Sequence, residues 1–228
     1  INMKALQDNG SMLCEEILSK KSYELKTKAM GEDIASANYQ QEPIDLKGQL
    51  YKLKTYNSLP EFKYIYNYTD TADTGNDYLC SIDYGVSFDN EAYIIGVLYT
   101  KEDMEVTEKA QAKMMVEDRV NKSRIESNNG GRSYARNVER IMSIDLGSNH
   151  TVIDTFFQSA NKQARILSNS SWVNQHVYVP DTWRNKWPEF AKDVTKYQRE
   201  GKNKHDDCAD CLSGIVETLS RPPTYSFD

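Results

Sequence analysis

The sequence predicts an α/β protein, with a central mixed β-sheet flanked by helices. Three observations carry this. Apolar runs of strand length at 78–83 and 92–99 are followed by a helically spaced segment, 107–120, and then by a short strand, 123–126. A strand, helix, strand succession crosses over right-handedly when the strands are parallel, which gathers strand ends on one side of the sheet. Acidic residues stand where two of these strands are expected to end, at Asp83 and Glu126. Open α/β sheets place their ligands on that side.

The elements follow in order. Residues 11–30 read as a helix, with Met12, Leu13, Ile17, Leu18 and Leu25 in one apolar stripe and Gly31 as its stop. A short helix over 32–39 is broken by Gln40-Gln41-Glu42-Pro43. Residues 1–60 hold too few apolar positions to close a core and form a helical lead-in, so 61–228 is the main domain. Within it, 62–66 is an edge strand, 70–76 a loop rich in Thr, Asp and Gly, and 84–90 the turn that joins the two apolar strands as a hairpin. A third short strand covers 104–106. The Thr107 hydroxyl then caps the helix to Val120, which packs Ala110, Met114 and Met115 inward. Beyond Glu126, Gly130-Gly131 opens a helix through Ile141, and 151–157 is a strand. A helix starts at Lys162, and 177–179 is a strand stopped by Pro180. Helices over 188–199 and 206–219 follow, the last ended by Arg221-Pro222-Pro223.

Composition narrows the function. A chain of 228 residues buries a core for one domain with an appendage. A net charge of −6 excludes a protein that grips nucleic acid mainly through a broad basic surface, yet suits clustered acids that bind cations. No apolar run is long enough for a bilayer, and the first residues lack a basic region followed by an apolar stretch, so a soluble, intracellular protein is expected. Cys14, Cys80, Cys208 and Cys211 form no spaced framework, which fits a reducing compartment.

The acids carry the chemistry. On the last helix Cys208, Cys211, Leu212, Ile215 and Leu219 form the apolar stripe, and Asp206, Asp207 and Asp210 lie beside it at spacings of three and four. Acids in a first turn are also what a solvated helix start prefers, an account that fits Asp210 least well. Taken together, Asp83, Glu126 and Asp207 or Asp210 offer hard oxygen ligands for Mg²⁺ or Mn²⁺. Such a cluster holds two ions roughly 3.5–4 Å apart for phosphodiester hydrolysis. Gly130 and Gly131 let the backbone approach a phosphate, with Arg132 and the helix's amino end adding attraction. No Gly-x-x-x-x-Gly-Lys-Ser/Thr pattern occurs, so ATP hydrolysis is not expected of this polypeptide. Cys208-x-x-Cys211 falls on the apolar stripe without a second pair and reads as core. His205 reads as an exposed capping residue, and the three tryptophans as packing.

Glu126-x-Asn128-x-Gly130-Gly131 and Asp206-Asp207-x-x-Asp210, with Asn161-Lys162-x-x-Arg165-Ile166 between them, make the chain resemble the nuclease domain of the large terminase subunit of tailed bacteriophages. Residues 35–43, followed by Gly48-Gln49-Leu50, look like that family's link from packaging ATPase to nuclease. The resemblance implies an RNase H-like fold and a metal-dependent endonuclease that cuts concatemeric viral DNA. It makes Asp83 and Glu126 the first two catalytic acids and Asp207 or Asp210 the last. Asp83 is expected to bridge two ions, with Gly130, Gly131, Arg132, Lys162, Arg165 and Lys204 near DNA phosphates. Double-stranded DNA, a terminase ATPase domain, the small terminase subunit and the portal are the implied partners, with no membrane, in the host cell cytoplasm. A junction-resolving nuclease of the same fold and a non-catalytic docking module are the alternatives.

Overall fold

The computed structural model describes residues 3–7, 9–30, 35, 38–40, 48–71, 77–200 and 203–220. Among them seven strands form one sheet: β1 (Lys54–Tyr56), β2 (Phe62–Asp70), β3 (Leu79–Ser87), β4 (Ala92–Thr100), β5 (Lys122–Glu126), β6 (Val152–Phe156) and β7 (Val177–Pro180). Their order across the sheet is β1-β7-β4-β3-β2-β5-β6. The centre, β4-β3-β2, is antiparallel, while β2-β5-β6 on one side and β4-β7-β1 on the other are parallel. The helices are α1 (Lys20–Met30), α2 (Met104–Glu117), α3 (Gly131–Arg140), α4 (Lys162–His176), α5 (Trp183–Lys186), α6 (Pro188–Lys196) and α7 (Asp207–Leu219). The helix expected over 32–39, the loop expected at 70–76 and the Pro-rich stop expected after 220 lie wholly or partly outside the described residues.

Strand alternation divides the core in two, because successive side chains point to opposite faces. Tyr68 of β2, with Cys80, Ile82 and Tyr84 of β3, packs beneath α4, α6 and α7 against Ile166, Phe190, Cys208, Cys211, Leu212 and Ile215. On the other face Leu79 and Ile125 meet Met115 of α2 and Tyr134 and Val138 of α3. Cys208 and Cys211 are therefore core residues, as their position on the apolar stripe indicated. Leu50 and Tyr51, ahead of β1, also belong to the first core. No helix among the described residues is long and apolar enough to cross a membrane.

Four elements depart from the sequence reading. First, β2 is an interior strand of nine residues, not an edge strand of five, and it ends on Asp70. Its polar residues are tolerated because they bond to one another across the sheet. Asn67 donates to Ser81 Oγ at 2.8 Å and to Asp83 Oδ1 at 2.6 Å, and accepts from Ser123 Oγ at 2.6 Å. Second, β3 continues through Gly85 to Ser87, so Asp83 is mid-strand. Third, residues 104–106 are the first turn of α2, whose Val106 and Thr107 N–H groups donate to Asp103 O. Fourth, α1 starts only at Lys20, where the Ser19 hydroxyl accepts from the Ser22 N–H at 3.3 Å. Leu13, Ile17 and Leu25 of the expected stripe are exposed.

Gly214 fixes how closely α7 lies on the sheet: a Cβ there would stand 2.2 Å from the ring of Tyr68. Gly214→Ala is expected to destabilise the protein in urea unfolding by about 1–3 kcal/mol, the usual range for overpacking, despite a helix-propensity gain of about 1 kcal/mol. Unchanged stability would mean that α7 does not sit this close.

Candidate metal centre

Asp70 and Glu126 end adjacent parallel strands. Thr69 stands opposite Ile125 in the register, so the next residues, Asp70 and Glu126, leave the sheet side by side. Both share their strand face with Tyr68, the face that α7 covers. Asp210, in the first turn of α7, descends onto them. One carboxylate oxygen from each of Asp70, Glu126 and Asp210 lies within 4.8 Å of the others, and all three residues are buried.

Glycine makes the loop beneath Glu126 possible. A Cβ on Gly131 would stand 1.8 Å from the Glu126 carbonyl oxygen, so no larger residue fits where α3 begins against the end of β5. Gly130 before it has a φ of 93°, the left-handed region that glycine adopts freely. These glycines thus shape the centre itself, while Arg132 next to them is solvent-exposed.

Lys162 supplies the centre's positive charge. Its ammonium lies 2.9 Å from Asp206 Oδ1, 3.1 Å from Asp70 Oδ2, 3.4 Å from Asp207 Oδ1 and 3.6 Å from Asp210 Oδ2. Burial works to lower its pKa, but the attraction of Asp70, Asp210, Asp207 and Asp206 outweighs this and raises it. Arg165 is buried behind the cluster, with Nη1 2.7 Å from Asp210 Oδ1 and Nε 2.6 Å from Glu217 Oε1. Asp207 stands beside the three converging acids, its Oδ2 accepting from the Tyr78 N–H at 3.3 Å.

Desolvation, reinforced by mutual repulsion, pushes the carboxyls of Asp70 and Glu126 up to about 7. That of Asp210 rises to about 6, desolvation outweighing the pull of Lys162 and Arg165. Buried acids that resist ionising and yet share one space match hard divalent cations, which prefer carboxylate oxygens. The residues present therefore fit Mg²⁺ or Mn²⁺.

Of the acids read from the sequence, Glu126 and Asp210 come together. Asp83 does not join them, and Asp70 takes its place. Asp83 pairs with Asn67 across β2 and β3, three residues short of the end of β2. It also faces the opposite side of the sheet, toward Asp118 at the end of α2. Completely buried, it is held well above the usual carboxylate range by desolvation, which outweighs the hydrogen bond from Asn67, and Asp118 raises it further. The sequence does carry a signal for Asp70: Tyr64, Tyr66 and Tyr68 alternate, and continuing that alternation reaches Asp70 on the same face. Lys204 is exposed on the rim of a cavity of about 320 Å³ that Tyr78, Lys192, Lys196 and His205 also line.

No protein-family model matches the chain, and no curated protein matches it. Among solved structures, a mutant of gp2c of the large terminase subunit from bacteriophage Sf6, with calcium, superposes with a TM-score of 0.51 at 11% identity, over 86% of this chain and 97% of that one. The chain has that fold, an RNase H-like sheet between helices. The nuclease domain of the large terminase subunit gp2 of bacterial virus Sf6 gives a TM-score of 0.48 at 9% identity, over 87% of this chain and 97% of that one. The HK97 bacteriophage large terminase gives 0.47 at 9% identity, over 89% of this chain and 51% of that one.

The raised carboxyl pKa values of Asp70, Glu126 and Asp210 contribute to the pH dependence of the metal-free protein. From about pH 4, where the unfolded acids ionise, to about 7, the native state holds protons that the unfolded chain has released, so these groups make stability fall as pH rises. Thermal unfolding in chelator between pH 4.5 and 7.5 should show a shallower decline for Asp70→Asn than for the wild type. Identical slopes would contradict the raised value at Asp70.

Proposed function

We propose that this chain is a divalent-metal-dependent endodeoxyribonuclease that cleaves concatemeric viral DNA during genome packaging. The observation that carries the reading is the convergence of Asp70, Glu126 and Asp210 within 4.8 Å at the ends of two parallel strands. Likeness in fold to gp2c of the Sf6 large terminase subunit adds support. On the same likeness, a packaging ATPase domain, a small terminase subunit and a portal are the proposed partners.

Asp70, Glu126 and Asp210 would hold the metal, with Asp207 next to them for a second ion. One or two Mg²⁺ or Mn²⁺ ions in this position would activate a water and stabilise the leaving oxygen of a phosphodiester. The chain's own residues do the rest. Burial of the three acids excludes bulk water and strengthens their hold on a cation. Lys162 neutralises the acids before a cation enters, and its ammonium is then available to a phosphate oxygen. Arg132 and Lys204 are the exposed basic residues we assign to more distant phosphates. Arg165, committed to Asp210 and Glu217, has no such role.

Incubation with plasmid DNA and Mn²⁺ should give cutting that chelator abolishes. Asp70→Asn and Asp210→Asn are each expected to slow it by about 10²-fold or more, the loss of a few kcal/mol of transition-state stabilisation. Asp83→Asn is expected to remain within about threefold of the wild type, a difference below 1 kcal/mol. Cutting by Asp70→Asn at the wild-type rate would sink the assignment.

A further inference from the structure

Behind the three acids lies a second layer of buried polar groups. Tyr68, wholly buried, donates its hydroxyl proton to Glu126 Oε1 at 3.0 Å. The same hydroxyl accepts from Arg165 Nη2 at 3.4 Å. Arg165 then reaches Asp210 Oδ1 through Nη1 at 2.7 Å, an ion-pair contact without hydrogen-bond geometry. Glu217 fixes the guanidinium from the far side, accepting from Nε at 2.6 Å and from Nη2 at 3.4 Å. Gln158 in turn donates to Glu217 at 3.3 Å. One connected chain of side chains thus reaches one oxygen of Glu126 and one oxygen of Asp210.

We propose that Tyr68 and Arg165 are positioning residues that set the cation selectivity of this centre: by occupying one oxygen of Glu126 and one of Asp210, they restrict both acids to monodentate ligation. The inference rests on the metal-binding reading of the three acids. Ca²⁺ takes six to eight oxygens at long distances and readily uses both oxygens of a carboxylate. Mg²⁺ and Mn²⁺ suit fewer oxygens, and Mg²⁺ demands nearly octahedral geometry. With Glu126 held at Oε1 by Tyr68 and Asp210 paired at Oδ1 with Arg165, each acid would offer a cation its other oxygen, which suits the smaller ions and disfavours Ca²⁺. Tyr68 is fully buried between the sheet and α7, its ring filling the space that a Cβ on Gly214 would take. Arginine suits this arrangement because its planar fork serves Asp210, Glu217 and Tyr68 together, which a lysine ammonium on a flexible stem does not reproduce.

The test is calorimetric titration of the whole chain with Mn²⁺ and with Ca²⁺, for the wild type, Tyr68→Phe, Arg165→Lys and Asp70→Asn, each first checked for cooperative thermal unfolding. Tyr68→Phe removes only a hydroxyl and keeps the ring, so it tests the proposal even if Arg165→Lys fails to fold. The expected result is a fall in Mn²⁺ affinity of about tenfold, the usual scale for losing a group that orients a ligand. Ca²⁺ affinity should be maintained or increased, so the Mn²⁺/Ca²⁺ ratio drops by about the same factor. A ratio unchanged from the wild type, whether or not both affinities fall, would overturn the role in selectivity. If the wild type binds neither cation, or Asp70→Asn binds both as the wild type does, the reading of the centre fails, and this inference with it.

Discussion

Buried carboxylates whose oxygens lie within 4.8 Å of one another repel each other and lose hydration when they ionise. The surrounding structure is arranged around that conflict. Lys162 reaches over from the start of α4 to four aspartates, and Arg165, one turn further along the same helix, supports Asp210 from behind. Both cations come from one helix whose first turn is capped by the Asn161 side chain accepting from the Ala164 N–H. The pairing of Lys162 with several acids at once is what a divalent ion would take over, with a higher charge and a defined geometry.

The backbone delivers the acids to one place through simple periodicities. In the parallel pair β2 and β5, equal register sends Asp70 and Glu126 out together. The helical turn of α7 puts Asp207 and Asp210 three residues apart on neighbouring positions, with Asp210 buried and Asp207 closer to the edge. Two glycines permit the approach: Gly131 lets α3 start directly under Glu126, and Gly214 lets α7 lie against Tyr68. The other face of the sheet carries a separate polar network through Asn67, Ser81, Thr69, Ser123 and Gln111, which satisfies buried groups and is remote from the acids in direction though near in sequence.

The sequence made most of this legible where hydrophobic pattern and local signals agreed. The hairpin of β3 and β4, the helix after it, the strand ending on Glu126 and the acidic start of α7 were all readable in this way. It misled where a polar residue is satisfied by partners distant in the chain. Asn67 and Thr69 look like the end of a strand, yet their bonds to Ser81, Asp83, Ser123 and Gln111 carry β2 on to Asp70. Gly85 looks like a turn, but it pairs within the sheet and leaves Asp83 mid-strand facing the wrong way. In both cases what decided the outcome was a contact across the sheet, which no local window contains. The contact of Lys162 with four aspartates likewise depends on α4 lying over the strand ends.

Asp70, Glu126 and Asp210, and not Asp83, are the proposed metal ligands. Anomalous diffraction from a crystal soaked in Mn²⁺ tests this assignment most directly. A manganese peak within bonding distance of Asp70, Glu126 and Asp210, with Lys162 displaced from between them, is the predicted result. A peak bound to Asp83, or none beside Asp70 at saturating metal, would contradict it.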